Sequence, residues 1–158
     1  MRCFSGVLAA ILLVAPAAAH DATHDRPSLR NARLSLISVQ YGEGEPVVSE
    51  VQADGVIPYR VQDSCYGWRL TFAARDRQFN LEELLLIPGA ASEWGDEGKT
   101  VVADDRMSSL TPLVVSGHTG VASHQWCVAE GDPEGLYKFV ISNDGKVVGK
   151  FTFHVLRQ

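Results

Sequence analysis

Long apolar runs are scarce in this chain. One stretch, Val7-Leu8-Ala9-Ala10-Ile11-Leu12-Leu13-Val14-Ala15, is strongly apolar, and it falls well short of the roughly 20 residues that a spanning helix needs. No later segment is apolar enough to cross a bilayer, so the mature chain is expected to be soluble and free of a transmembrane segment. Cysteine is rare, with three residues and no Cys-x-x-Cys spacing, which speaks against a structural zinc site. There is no Gly-x-Ser-x-Gly elbow of the kind that presents a hydrolase serine. Basic clusters are also missing. Lys and Arg number 14 against 19 acids, for a net charge of −5, and such a balance disfavours nucleic acid and anionic membrane as partners. No extended stretch has helical periodicity, and no repeat or low-complexity tract appears.

The N-terminal segment has the parts of a secretory signal. Arg2 supplies positive charge, the apolar run follows, Pro16 breaks it, and Ala17-Ala18-Ala19 offers small residues to a signal peptidase. Residues 1–19 are therefore expected to be removed, and the protein is expected to be periplasmic or secreted. Removal of 19 residues from 158 leaves 139, enough for one domain with its own hydrophobic core. It also removes Arg2, which shifts the net charge from −5 to −6. Residues 20–32 are polar, lack periodicity and read as a flexible lead-in. A single β-domain is expected over 33–158.

Loss of the signal removes Cys3 and leaves an even pair, Cys65 and Cys127. In an oxidising compartment that pair is expected to form a disulfide. Parity constrains where it lies. Tyr66, Trp68, Leu70 and Phe72 share one face of their strand, and Ala122, His124, Trp126 and Val128 share one face of theirs. Both cysteines fall opposite these large side chains. The bridge is thus expected on the outer side of a sheet or at an edge, not through the core as in an antibody domain.

Short β-type runs alternate with turn signals along the rest of the chain. Strands are expected near 33–41, 46–52, 56–61, 65–74, 79–87, 99–103, 112–115, 121–129, 135–142 and 147–156, a pattern that indicates a sandwich or barrel. Residues 80–86 have two readings, a capped helical turn or a strand, and the shortness of the run before Pro88 favours strand. The clearest unit is a C-terminal hairpin. Tyr137, Phe139 and Ile141 alternate on one arm, Phe151, Phe153 and Val155 on the other, and Asn143-Asp144-Gly145 turns the chain between them.

Several of these segments resemble a family of exported bacterial proteins of unknown function. The resemblance rests on Val39-Gln40-Tyr41-Gly42, Ile57-Pro58, Tyr66-Gly67-Trp68-Arg69-Leu70, Ile87-Pro88, Gly135-Leu136-Tyr137-Lys138-Phe139 and Phe151-Thr152-Phe153-His154-Val155. It spans most of residues 33–156. It implies an antiparallel immunoglobulin-like β-sandwich and an exported location. It supplies no catalytic residue.

Three kinds of chemistry are open to the remaining residues. Cleavage after Ala19 makes His20 the N-terminus, and its amine and imidazole, with His24, suit copper(II); His118, His124 and His154 are candidate third ligands. No other cofactor is indicated. His124, beside Trp126 on the core face, reads more simply as a satisfied, partly buried histidine. Acids occur at Glu82-Glu83, at Asp104-Asp105 and in the loop Glu93-Trp94-Gly95-Asp96-Glu97-Gly98. Neighbouring acids on a strand point to opposite faces, and the expectation is a solvated acidic surface. Trp94, flanked by acids and glycines, either stands at a loop tip as a binding residue or folds back over one end of the core. The expectation is a non-enzymatic domain that binds a protein or cell-envelope component through loops or a sheet edge. The alternatives are a periplasmic copper-binding protein and a small secreted hydrolase.

Overall fold

The computed structural model describes residue 29 and residues 31–74, 78–95 and 99–158. The signal segment, His20 and His24 lie outside the described residues. Among the described residues there are ten strands: β1 (Arg33–Gln40), β2 (Val47–Val51), β3 (Val56–Pro58), β4 (Ser64–Thr71), β5 (Gln78–Leu86), β6 (Val101–Val102), β7 (Ser108–Ser116), β8 (Val121–Cys127), β9 (Gly135–Asn143) and β10 (Lys146–Leu156). They form two sheets. One has the order β2-β1-β4-β8 and the other β3-β10-β9-β5-β7-β6. Among the described residues the only helical element is a 3-10 turn, Gly117–Thr119, and no helix is long and apolar enough to cross a membrane.

Each expected strand has a counterpart, and residues 80–86 are strand. Three details differ. The strand expected at 112–115 begins at Ser108. Pro112 does not start it, because β6 pairs only with Ser109 and Leu110. At Pro112 one side of β7 is therefore an open edge, where a missing N–H breaks no ladder. The strand expected to run to residue 61 ends at Pro58, after which Gln62 adopts a left-handed φ of 66° and the chain turns into β4. The sandwich is also not wholly antiparallel. β3 runs parallel to β10, because the chain crosses from β2 in one sheet to the edge of the other before it returns as β4.

Alternation drives the core. Leu36, Tyr66, Trp68 and Leu70 face inward from the four-stranded sheet, and Leu81, Leu85, Phe139, Ile141, Phe153 and Val155 from the other; all are buried. Tyr66 packs against Phe153 and Tyr137 with ring centroids 5.2 and 5.4 Å apart. Each such aromatic removes 150–250 Å² from water, roughly the dominant contribution in a core of this kind. The β9–β10 turn places Asp144 at φ 47° and Gly145 at φ 74°. Two successive positive φ values define the turn whose twist matches a hairpin, and Asp-Gly supplies them at low cost.

Candidate functional site

β5 reads Gln78-Phe79-Asn80-Leu81-Glu82-Glu83-Leu84-Leu85-Leu86, and its odd-numbered residues face the interior. Glu83 stands in that row between Leu81 and Leu85 and is fully buried. The expectation of a solvated acidic surface is therefore wrong for Glu83, although Glu82 beside it is exposed. A carboxylate in a core must be satisfied by donors. Trp68 from β4 donates its indole N–H to Glu83 Oε2. Trp126 from β8 donates its own to Glu83 Oε1 at 2.6 Å. His124 Nδ1, also on β8, lies 2.9 Å from Oε2. An indole nitrogen can only donate, so both tryptophans require acceptor oxygens at these points. One side chain on the six-stranded sheet thus ties together two strands of the other. His124 is half-buried and satisfied, as its place in the alternation implied.

β8 is an edge strand, held to β4 by its ladder and by the Cys65–Cys127 disulfide. The cysteines are direct cross-strand partners. The Val128 N–H donates to the Ser64 carbonyl at 2.9 Å, which makes the adjacent Cys65/Cys127 pair a non-hydrogen-bonded one, where facing side chains stand closest. The bridge lies on the outer face of the sheet, as parity required, and also at its edge. Cys65 is buried there beside Ile37 and Val39, while Cys127 is exposed. Gly67 lets the two strands approach. A Cβ at that position would come within 2.1 Å of the His124 carbonyl oxygen.

Trp94 does not stand at a loop tip. It is half-buried and folds back onto the core. Its ring meets Trp126 edge to face with centroids 5.6 Å apart, and Trp126 meets His124 in the same way at 5.6 Å. Arg106 fixes this loop. Its carbonyl accepts from the Ala91 N–H at 3.1 Å and from the Trp94 indole at 3.3 Å. Its guanidinium returns to the Ala91 carbonyl at 2.8 Å and to the Ser92 carbonyl. To do both, Arg106 takes a left-handed φ of 58°, uncommon for a residue with a side chain. A second clasp joins this loop to the segment after β8, where Ser92 Oγ donates to the Glu130 carbonyl at 2.7 Å.

These clasps shape a groove of about 470 Å³ walled by Trp94, Trp126, His124, Gln125 and Glu93. A smaller recess of about 40 Å³ shares Trp94, Trp126 and Glu93 with it and adds Tyr66, Tyr137 and Asp132. Burial pushes the Asp132 carboxyl above its ordinary range, partly offset by the hydrogen bond its Oδ2 accepts from the Ala129 N–H at 2.8 Å. Burial likewise pushes both tyrosine hydroxyls up, so they stay protonated. The Tyr137 hydroxyl donates to the Pro133 carbonyl at 2.7 Å.

The structure brings Trp94, Cys127 and His124 to one place and leaves other candidates apart. His118 sits in the 3-10 turn before β8 and His154 on β10. Among the described residues no three His, Cys, Asp or Glu side chains are grouped to hold a metal, while the copper ligands named first, His20 and His24, are outside them. Sequence reasoning missed Glu83, Arg106 and Asp132. For Glu83 a signal existed, since the strand's parity places it in the Phe79-Leu81-Leu85 row. For the other two, which act through loop-to-loop contacts, none did.

Comparison with known proteins agrees with the architecture. No curated protein matches the chain. Among solved structures, an immunoglobulin-like protein of Pseudomonas aeruginosa superposes with a TM-score of 0.51 at 14% identity, covering 82% of this chain and all of that one. At that identity the likeness shows the fold alone. A family model, the PM0630 beta sandwich domain, matches residues 39–156. That range runs from the end of β1 to the last residue of β10 and includes Glu83, both tryptophans that bind it and the disulfide. The chain belongs to the PM0630 beta sandwich domain family.

Proposed function

We propose that this protein is a non-enzymatic binding domain of the periplasm or cell exterior, which holds a protein or envelope component in the groove between the 88–95 loop and β8. The observation that carries this reading is the fixed aromatic wall. Trp94 and Trp126 meet edge to face, Trp126 is anchored from below by Glu83, and Trp94 is anchored from the side by Arg106. Aromatic side chains held this way offer contact area with little entropy left to lose, which is how strong binding positions are built. A disulfide on the outer face suits an oxidising compartment.

The test is affinity capture from envelope extract on the intact protein, with Trp94→Ala as control. A retained component is expected to be lost with Trp94→Ala and to shift the indole N–H resonances of Trp94 and Trp126 when added back. Equal retention by the variant, or retention without those shifts, would move the binding surface elsewhere.

A further inference from the structure

We infer that the recess at the floor of the groove is a binding site for a primary alkylammonium group, such as the end of a lysine side chain. The inference deepens the binding reading above and rests on it. Its basis is the character of the recess lining. Among the described residues, the charged side chains that line it, Glu93 and Asp132, are both acids. Its aromatic lining residues are Tyr66, Trp94, Trp126 and Tyr137. Arg106, which fixes the neighbouring loop, has its guanidinium engaged by the carbonyls of Ala91 and Ser92. Aromatic faces attract a cation through the ring quadrupole, and a carboxylate supplies the counter-charge.

A second, independent observation concerns Tyr66. Its side chain is only 4% exposed and lines the recess, and its hydroxyl makes no hydrogen bond among the described residues. The hydroxyl opens onto the recess, and an ammonium has three N–H donors for it to accept from. Asp132 adds to this. The Ala129 N–H occupies its Oδ2, and Oδ1 makes no hydrogen bond among the described residues.

Size and shape narrow the ligand. About 40 Å³ holds a group of roughly two or three water-sized atoms, which admits –CH2–NH3+ and is small for a planar guanidinium. The groove above is walled by Trp94 and Trp126, so a straight aliphatic stem would lie along this indole wall while its charged end enters the recess. Long amines bury their methylenes in this way.

The test is NMR titration of the intact protein, read at the Trp94 and Trp126 indole N–H signals. Three probes are compared: Nα-acetyl-lysine methylamide, the matching norleucine compound, and 1,5-diaminopentane. The lysine compound is expected to bind about tenfold or more tightly than norleucine, the usual scale for one desolvated charge contact. The diamine separates sources. Binding as tight as that of the lysine compound assigns the site to free amines as well as protein side chains, and weaker binding assigns it to a peptide. Asp132→Asn can still accept from the Ala129 N–H, and Tyr66→Phe keeps the ring, so both variants should fold and both should weaken the lysine compound while leaving norleucine unchanged. Binding should also weaken as pH falls through the raised Asp132 carboxyl, because the amine stays charged there and the acid does not. If norleucine and lysine bind equally, the groove stands and the ammonium assignment is wrong. If no probe shifts the indoles while envelope capture remains dependent on Trp94, the recess is not the site and only this inference falls.

Discussion

The interior of this sandwich has two unlike halves. Where β9 and β10 face β4, the packing is apolar. Phe139, Ile141, Phe153 and Val155 are all buried completely, and Phe139 and Phe153 stack with centroids 5.6 Å apart. Where β5 and β7 face β8, polar side chains interrupt the inward rows. They are Glu83, Thr111 and Ser109, buried to the same degree, and Glu83 is bonded to His124 and Trp126. The same alternation rule builds both halves. The first gains from each buried methylene, while in the second Glu83 holds the edge strand β8 through Trp126 and His124. Stability and site positioning are therefore divided between two regions of one core.

That division makes predictions of graded size. Phe139→Ala, in the apolar half, is expected to cost about 4 kcal/mol through lost transfer energy and a cavity, read as a lower denaturation midpoint. Glu83→Gln keeps the shape but turns part of an acceptor into a donor facing two indole N–H groups. It is expected to cost about 3 kcal/mol and to shift the indole N–H signals of Trp68 and Trp126. If Glu83→Gln proved the more damaging of the two, the polar half would be carrying the fold. The smallest effect belongs to Ser109. Its Oγ is buried without a hydrogen-bond partner among the described residues, whereas Thr111 Oγ1 has Thr100 Oγ1 at 3.0 Å. Ser109→Ala should leave stability unchanged or raise it by about 1 kcal/mol. A clear loss of stability on thermal melting would show that the hydroxyl is satisfied in solution and that the polar half is complete.

The apolar half was the legible one. Period-two alternation and Asp-Gly turn chemistry are local, so the C-terminal hairpin, the ten strands and the outer-face position of the bridge could be read from neighbouring residues. The polar half follows from contacts between residues far apart in sequence. Glu83 meets Trp126 across 43 positions, and nothing near Glu83 distinguishes an acid held by indoles from one in water except its place in an apolar row. Arg106 was unreadable for a related reason. Its role depends on a positive φ and on carbonyls of another loop, neither of which leaves a mark in side-chain pattern. Trp94 had two readings, and the Arg106 clasp selects the folded-back one.

The cross-strand pairing of Cys65 and Cys127 bears on how the chain reaches this structure. The two sulfurs meet only when β8 lies on β4 in one alignment. A slip of one residue would send Cys127 to the inner face, and a slip of two would carry it about 7 Å along the strand. The bridge is therefore compatible with one register of β8 on β4 and with none of its neighbours. The strand secured in this way is the one that carries His124 and Trp126, so the bridge fixes the register of the groove wall.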